Sequence, residues 1–461
     1  MEQELLSIGI DVGTSTTQVV FCSLHLEEEA SYGRAPHVKI TDKKVIYRSK
    51  IWNTVLSSDE EIDGNAVARI VKKEYETAGF LPENVHTGAV IITGESARKR
   101  NAKGVMEALS RISGEFVSME AGPDLESVLA GKGAGADLIS LQTGKIVANV
   151  DIGGGTTNIC LFQDGKAVDC ACLNVGGRLL RVENNKICKI EKSMQILLDD
   201  MGFSMETGVQ PDEKTIEKLC HRMCELLEEI LGFKEKTALL EKMTTNHGLT
   251  GSYIPEILTF SGGVADCFCS KTSFAYGDFG DILGKTIARN HNLMKKNLFR
   301  SRETIRATVI GAGSYSVEIS GSTIDYQGRS LPLKNLPVIT IPWKAPEDIP
   351  HISEEIEAKK QLFSSTDGSF AIWMEGDVSA SFEDIEHITE ILVKEKNLQA
   401  VILEKDLGKA LGQALKRKKG SGQAPVCIDE IYCSDGDYID VGKPIGRGNA
   451  LQVVIKTLVF G

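Results

Sequence analysis

No stretch of this 461-residue chain approaches the roughly 18 apolar residues that carry a helix through a bilayer, so no membrane partner is expected. The opening MEQELLSIGIDVG holds two glutamates and enters a β-like run at once. It lacks the basic and apolar regions of a secretory leader, and a cytoplasmic protein is expected. Positive charge is also in deficit. A net charge of -12 argues against a nucleic-acid partner, because sequence-independent binding to phosphate backbones needs a basic face. The one basic run, Lys416 to Lys419, reads as a solvated helix end before Gly420-Ser421-Gly422. The 11 cysteines include no CxxC pair, which removes the usual zinc framework and leaves reduced thiols. His221 beside Cys220 and Cys224 reads as core filling rather than a metal site. Paired acids such as Asp199-Asp200 and Glu228-Glu229 are helix neighbours that share no face, and read as surface charge.

What the chain does contain is a repeated strand–turn–strand unit. Leu5 to Asp11 is a β-branched run that meets Val12-Gly13-Thr14-Ser15-Thr16-Thr17 and resumes over Gln18 to Cys22. Ile146 to Asp151 meets Ile152-Gly153-Gly154-Gly155-Thr156-Thr157 and resumes over Asn158 to Phe162. The two aspartates lie 151 − 11 = 140 residues apart, which suits an internal duplication. A turn of glycines and hydroxyl residues points backbone N–H groups into its bend, where phosphate oxygens can approach without Cβ obstruction. An aspartate ending the preceding strand can hold Mg²⁺, an ion that prefers a few carboxylates plus substrate phosphates. Facing each other, two such hairpins would clamp ATP and its metal, with Gly13, Thr14, Ser15, Thr16, Gly153, Gly154, Gly155, Thr156 and Thr157 at the phosphates. A third glycine turn, Ser261-Gly262-Gly263-Val264, would let the backbone pass close to the adenosine. One such turn alone is ordinary; three in this order are specific.

The remaining pattern is α/β. Helices are expected over Ala66 to Glu76, Asp124 to Ala130 and Asp212 to Leu231, and strands over Gly88 to Thr93 and Ile257 to Phe260. Arg306 to Ile310 reads as a further strand running into Gly311-Ala312-Gly313-Ser314. The prolines at 332, 337, 342, 346 and 350 suggest a linker or meandering segment, after which strands and helices alternate again. Three units follow: 1–145 with the first hairpin, 146–330 with the second hairpin and adenosine turn, and a C-terminal α/β region over 331–461. Rival nucleotide motifs fail. Gly280 to Thr286 has one residue too few between its glycines for a P-loop, and Gly311 to Ser316 lacks the third glycine of a dinucleotide fingerprint.

At these residues the chain resembles the superfamily of actin, heat-shock chaperone ATPases and sugar kinases, implying duplicated actin-like, ribonuclease H-like domains around a nucleotide cleft. The strings Gly9 to Thr17, Ile92 to Arg98, Glu120 to Asp124 and Val401 to Gly412 resemble the ethanolamine ammonia-lyase reactivating factors, the EutA family. That resemblance implies an ATPase in ethanolamine utilisation, with ATP and Mg²⁺ as cofactors and ethanolamine ammonia-lyase as client. It implies that damaged cobalamin is released from the lyase so that adenosylcobalamin can rebind. It further implies a homo-oligomer associated with a bacterial microcompartment. Asp11 and Asp151, with Thr93, become candidate metal ligands, and Asp11, Asp151 and Glu120 the catalytic set, with Glu120 orienting water as an acid does in chaperone relatives. Glu95 stands beside Thr93 as a second group within reach of the metal. No Asp-x-His-x-x-Gly string is present, so corrinoid contact falls to the client. Two alternatives stay open: a small-molecule kinase of the same fold, with Asp137 or Asp266 as base, and a nucleotide-switched assembly protein.

Overall fold

The computed structural model describes residues 3–457 except 14–15, 30–36, 59, 94–95, 97–98, 114–116, 121–122, 246, 296–297, 316–317, 321–322, 327–330, 361–367, 378, 421, 434–436, 446–447 and 449. The first sheet is built on β1 (Gln3–Val12), β2 (Thr16–Glu29), β3 (His37–Arg48), β4 (Thr87–Ile92) and β5 (Val117–Glu120). Its order is β3-β2-β1-β4-β5, with β1, β2 and β3 antiparallel in turn and β1, β4 and β5 parallel. The second sheet repeats the plan with β6 (Val147–Ile152), β7 (Thr157–Gln163), β8 (Lys166–Leu173) and β9 (Ile257–Ser261) in the order β8-β7-β6-β9. Again the first two pairings are antiparallel and the β6/β9 pair is parallel. This repeated order is the ribonuclease H-like arrangement, and the fold is a duplicated actin-like α/β fold. The fifth position of the second sheet is reduced to one parallel bridge, Leu258 to Leu298.

Amphipathic helices close the sheets. α1 (Gly64–Ala78) starts where Asp63 Oδ1 accepts from Ala66 N at 2.9 Å, stops at left-handed Gly79, and buries Val67, Ile70, Val71 and Tyr75. The helix Glu213–Ile230 turns Ile216, Leu219, Cys220, Met223, Leu227 and Ile230 into the core of the second sheet. Each such side chain contributes about 1.5–3 kcal/mol of burial. On that helix the acids depart from the expected surface role. Glu229 is buried and accepts from Arg222 Nη1 at 2.7 Å and Thr237 N at 2.9 Å, while buried Glu228 accepts from Asn290 Nδ2 at 2.7 Å. Three residues of spacing bring Arg222 within reach of Glu225, and seven, two turns, within reach of Glu229.

Two further expectations need correction. Ala307–Tyr315 is a helix, not a strand entering a glycine turn. It crosses the helix Pro123–Ala134 and lies on β1 so closely that glycines are required. A Cβ on Gly311 would stand 2.0 Å from Leu129 O, one on Gly133 1.9 Å from Ala307 O, and one on Gly9 2.3 Å from Val309 O. The glycines that resembled a dinucleotide motif are the flat faces of a helix crossing. The proline-marked segment is likewise ordered: Leu333–Ile341 is the central strand of a seven-stranded sheet, and Pro337 faces Tyr438 where the ladder is already irregular.

In that C-terminal sheet the strands Leu333–Ile341, Phe370–Met374, Leu398–Leu403 and Val426–Ile428 run parallel, joined through the helices Ile352–Lys360, Phe382–Leu392 and Gly408–Lys419. The basic run at 416–419 is not free in solvent. Arg417 and Lys418 pair with Glu386, Lys418 also with Glu390, and Lys419 Nζ donates to Glu395 O at 2.6 Å. Gly408 and Gly412, within one of the family-like strings, have structural work. A Cβ on Gly408 would meet Thr323 O at 2.5 Å and one on Gly412 would meet Asp325 Cβ at 2.5 Å.

Beside Gly408, the Thr323 hydroxyl contacts both Asp406 Oδ1, at 2.5 Å, and Asp429 Oδ2. One hydroxyl proton cannot serve two carboxylates, so a proton on Asp429 completes the set. Burial pushes the Asp429 carboxyl up to about 7. A folded-state value above the unfolded one means stability falls as pH climbs from about 4 to about 7. Asp429→Asn, which keeps a donor toward Thr323, should therefore raise the melting temperature more at pH 8 than at pH 5, as calorimetry would show.

Candidate functional site

The two hairpins share the same pairing register at the offset of 140. Asp11 lies opposite Gln18 and Val12 opposite Thr17; Asp151 lies opposite Asn158 and Ile152 opposite Thr157. Each turn is closed by the same bond, Gly13 N to Thr16 O at 2.8 Å and Gly153 N to Thr156 O at 2.9 Å. In the first turn Thr54 Oγ1 and Ser96 Oγ donate to Gly13 O at 2.8 and 3.0 Å. The second is backed by another glycine pair: Gly177 N donates to Gly153 O at 3.0 Å and Arg178 N to Gly154 O at 2.7 Å, and a Cβ on Gly176 would sit 2.4 Å from Gly154 O. Gly153 meets only Thr156 O, at 3.5 Å, so its inner side is open.

Both aspartates are buried, and each accepts one hydroxyl. Thr93 Oγ1 donates to Asp11 Oδ1 at 2.9 Å, and Ser261 Oγ donates to Asp151 Oδ1 at 2.5 Å. Burial pushes Asp11 up to about 7, with the Thr93 bond opposing and the charge of Asp151 adding to the rise. Burial likewise pushes Asp151 up to about 6, opposed by Ser261. The charge of Asp151 is therefore felt at Asp11, which places the two carboxylates in one electrostatic neighbourhood. Ser261 is held in turn by Asn149 Nδ2 at 2.9 Å, and Asn149 Oδ1 accepts from Thr259 Oγ1 at 2.9 Å. Gly262, at φ +84°, brings the third turn onto β6, where a Cβ would stand 2.3 Å from Ile152 O; Val264 N donates to Ile152 O at 3.1 Å. The third turn is thus bonded to the second hairpin, with Gly263 facing no closer neighbour than Ile305.

Asp11, Asp151, Gly13, Thr16, Gly153 to Thr157, Gly262 and Gly263 thus gather on two hairpins and the turn bonded to the second, and Thr93, just past the end of β4, joins Asp11 through its hydroxyl. Thr14, Ser15 and Glu95 lie outside the described residues. Glu120 ends β5 opposite Ile91, with its side chain also outside the described set. Of the residues considered as a kinase base, Asp137 lies away from the site and Asp266 lies three residues beyond Gly263. Asp137 lies against the Asp164-Gly165 turn at the opposite end of β7 from Thr157, roughly 20 Å along the strand, and Asp266 is engaged by the Thr304 hydroxyl. Gly280 to Thr286, the P-loop near miss, lies within the helix Gly280–Arg289, and Gly284 packs against Val264 O.

Three residues went unnoticed in the sequence. Gln18 Oε1 and Asn158 Oδ1 are buried oxygens without a hydrogen-bond partner, each directly opposite one of the aspartates. Their position seven residues after each aspartate is the signal that the duplication offered. Arg178, whose Nε is buried without a hydrogen bond, stands behind Gly154. Two like-charged buried carboxylates with unsatisfied amide oxygens beside them fit a hydrated divalent cation, which would remove the repulsion and supply the missing donors through its waters. Among the described residues no cluster of three or more His, Cys, Asp or Glu side chains could hold a metal on its own, so two carboxylates plus ligand phosphates is the donor set available. Because the cation binds the ionised pair, its affinity should rise with pH through about 6 to 7. Titration calorimetry in buffers of different ionisation heat should show proton release near pH 6.5 that fades by about pH 8.5.

No helix among the described residues is long and apolar enough to cross a membrane. The family model described as ethanolamine utilisation protein EutA matches residues 3–461. The chain is 34% identical over 467 residues to ethanolamine ammonia-lyase reactivase EutA of Salmonella typhimurium, and 35% identical over 473 residues to that of Escherichia coli, with 99% of each chain covered in both cases. Among solved structures it is similar to a Ppx/GppA family member of Aquifex aeolicus, at 13% identity and a TM-score of 0.39, covering 67% of this chain and 97% of that one.

Proposed function

The chain belongs to the ethanolamine utilisation protein EutA family, and from that premise we propose that it reactivates ethanolamine ammonia-lyase, using ATP hydrolysis in the hairpin cleft to release damaged cobalamin. The observation that carries the nucleotide half of this reading is the pair of buried aspartates, Asp11 and Asp151, each one residue from the end of the first strand of an equivalent glycine hairpin, with the charge of Asp151 felt at Asp11. The names of the relatives carry the client half.

In this reading the N–H groups of Gly154 to Thr156 and of the first turn hold phosphate oxygens, with Thr93 and Ser261 fixing the carboxylates that receive Mg²⁺. Bound Mg²⁺ would neutralise charge on the terminal phosphates. Gln18 and Asn158 present amide oxygens to ordered water at either hairpin, and the protein orients a water for attack with Glu120 as candidate. Client remodelling then follows from differential binding: the cleft closes on one nucleotide and relaxes on the other, and the client is held more tightly in one state. Release of damaged cobalamin, rebinding of adenosylcobalamin, assembly as a homo-oligomer and association with a microcompartment belong to the same proposal.

The test is recovery of lyase activity after inactivation by bound cyanocobalamin, with adenosylcobalamin added and free metal fixed, with and without Mg-ATP. Recovery only with ATP supports the reading. Equal recovery, or none, in both arms would overturn it.

A further inference from the structure

On the face of the second sheet that carries Asp151, neighbouring strands line their residues up in rows. The front row is Ser261, Asp151, Asn158 and Cys172; the row behind is Thr259, Asn149, Cys160 and Cys170. The rows are wired together, since Asn149 in the rear row donates to Ser261, which donates to Asp151. Cys160 and Cys170 are direct cross-strand partners on antiparallel β7 and β8. Such partners stand about 4.5–5.5 Å apart at Cα, inside the roughly 4.4–6.8 Å window of disulfides. Both pack in one small apolar cluster with Val147 and Phe162. Cys160 is fully buried, whereas Cys170 is half-buried and reachable from solvent.

We propose that Cys160 and Cys170 are a redox-active dithiol that closes to a cross-strand disulfide behind the Asp151 hairpin and slows nucleotide turnover. The oxidant is a small-molecule disulfide, R–S–S–R. The Cys170 thiolate attacks one of its sulfurs, forming a Cys170–S–S–R bond and expelling RS⁻. Cys160 then attacks the Cys170 sulfur, forming the protein disulfide and expelling the second RS⁻. The two thiol protons pass to the two released thiolates, so two cysteines are oxidised as one disulfide is reduced to two RSH. Burial raises the Cys160 thiol well above its ordinary value, so it reacts only with the sulfur already in contact with it. Closing the bond draws the two Cβ atoms to about 3.8 Å and pulls on β7 at Cys160, whose partner on β6 is Asn149, the residue that steadies Ser261 on Asp151. The effect on turnover rests on the ATPase reading above; the disulfide does not.

The test incubates the full chain with oxidised glutathione, then alkylates, digests without reduction and maps the peptides, alongside ATP turnover before and after dithiothreitol. The expected result is a 160–170 linkage and a several-fold loss of turnover, reversed by reductant and absent in Cys170→Ser. Exposed Cys188 and Cys269 serve as controls for simple glutathione capture. Cys160 and Cys170 remaining alkylatable would overturn the dithiol, as would a linkage that leaves turnover unchanged. If the chain shows no turnover even when reduced, the ATPase reading fails and the map alone decides the dithiol.

Discussion

Asp11→Asn and Asp151→Asn should each lower ATP turnover by at least about a hundredfold while leaving the protein folded and, above pH 7, more stable than the parent. On the proposed reading, the loss follows from removing one of the two negative charges that would hold the cation and, through it, the phosphates. The gain follows from the same burial. Each carboxyl has a folded-state value above the unfolded one, about 7 for Asp11 and about 6 for Asp151, so ionising it at neutral pH opposes folding. An asparagine carries no such charge, and its oxygen still accepts from Thr93 or Ser261. The increment is on the order of 1–3 kcal/mol, or a few degrees, and should vanish below pH 4, where both forms are neutral. Calorimetry at pH 4 and pH 8 beside a phosphate-release assay would check both halves. A variant that loses turnover and stability together at pH 8 would show the carboxylates to be structural.

Gly133→Ala should be the most damaging glycine-to-alanine change among the described residues. Its Cβ would stand 1.9 Å from Ala307 O and 2.7 Å from Ala307 C, and these are backbone atoms of a helix that cannot rotate away. The helices Pro123–Ala134 and Ala307–Tyr315 would have to separate, and the second of them also packs on β1, where Gly9 approaches Val309 O. Overpacking of this kind typically destabilises by about 1–3 kcal/mol, more where backbone is involved. Because Asp11 is the penultimate residue of β1, the displacement should also reach the site. Gly104→Ala is the control: it lies in the helix Ala102–Ser113 with nothing within 4 Å of its Cβ, and should stabilise by up to about 1 kcal/mol. Equal melting temperatures for the two variants would refute the crossing argument.

The hairpins were legible because their chemistry is local. A β-branched run, an aspartate and a glycine–hydroxyl turn specify a strand pair over fewer than 20 residues, and the repeat at 140 made the second copy stand out. The C-terminal alternation was legible for the same reason, since each strand and helix there shows its own period. What escaped was set by distant partners. Ala307 to Tyr315 offers glycines and β-branched residues that suit a strand locally, and only Leu129 and Gly9, far off in sequence, explain why it is a helix with no room for side chains. Glu229 looked like surface charge until Thr237 and Arg222 folded onto it. Gln18 and Asn158 are unremarkable letters in strands; their orphaned oxygens appear only once each lies opposite an aspartate.

On the proposed reading the two hairpins form one clamp rather than two independent turns. The most direct measurement is ATP turnover of the parent, Asp11→Asn, Asp151→Asn and the double variant under one set of conditions. Groups that act as a unit are not additive, so the double variant should be little worse than either single one. Losses that multiply, or one single variant with parental turnover, would contradict the shared site.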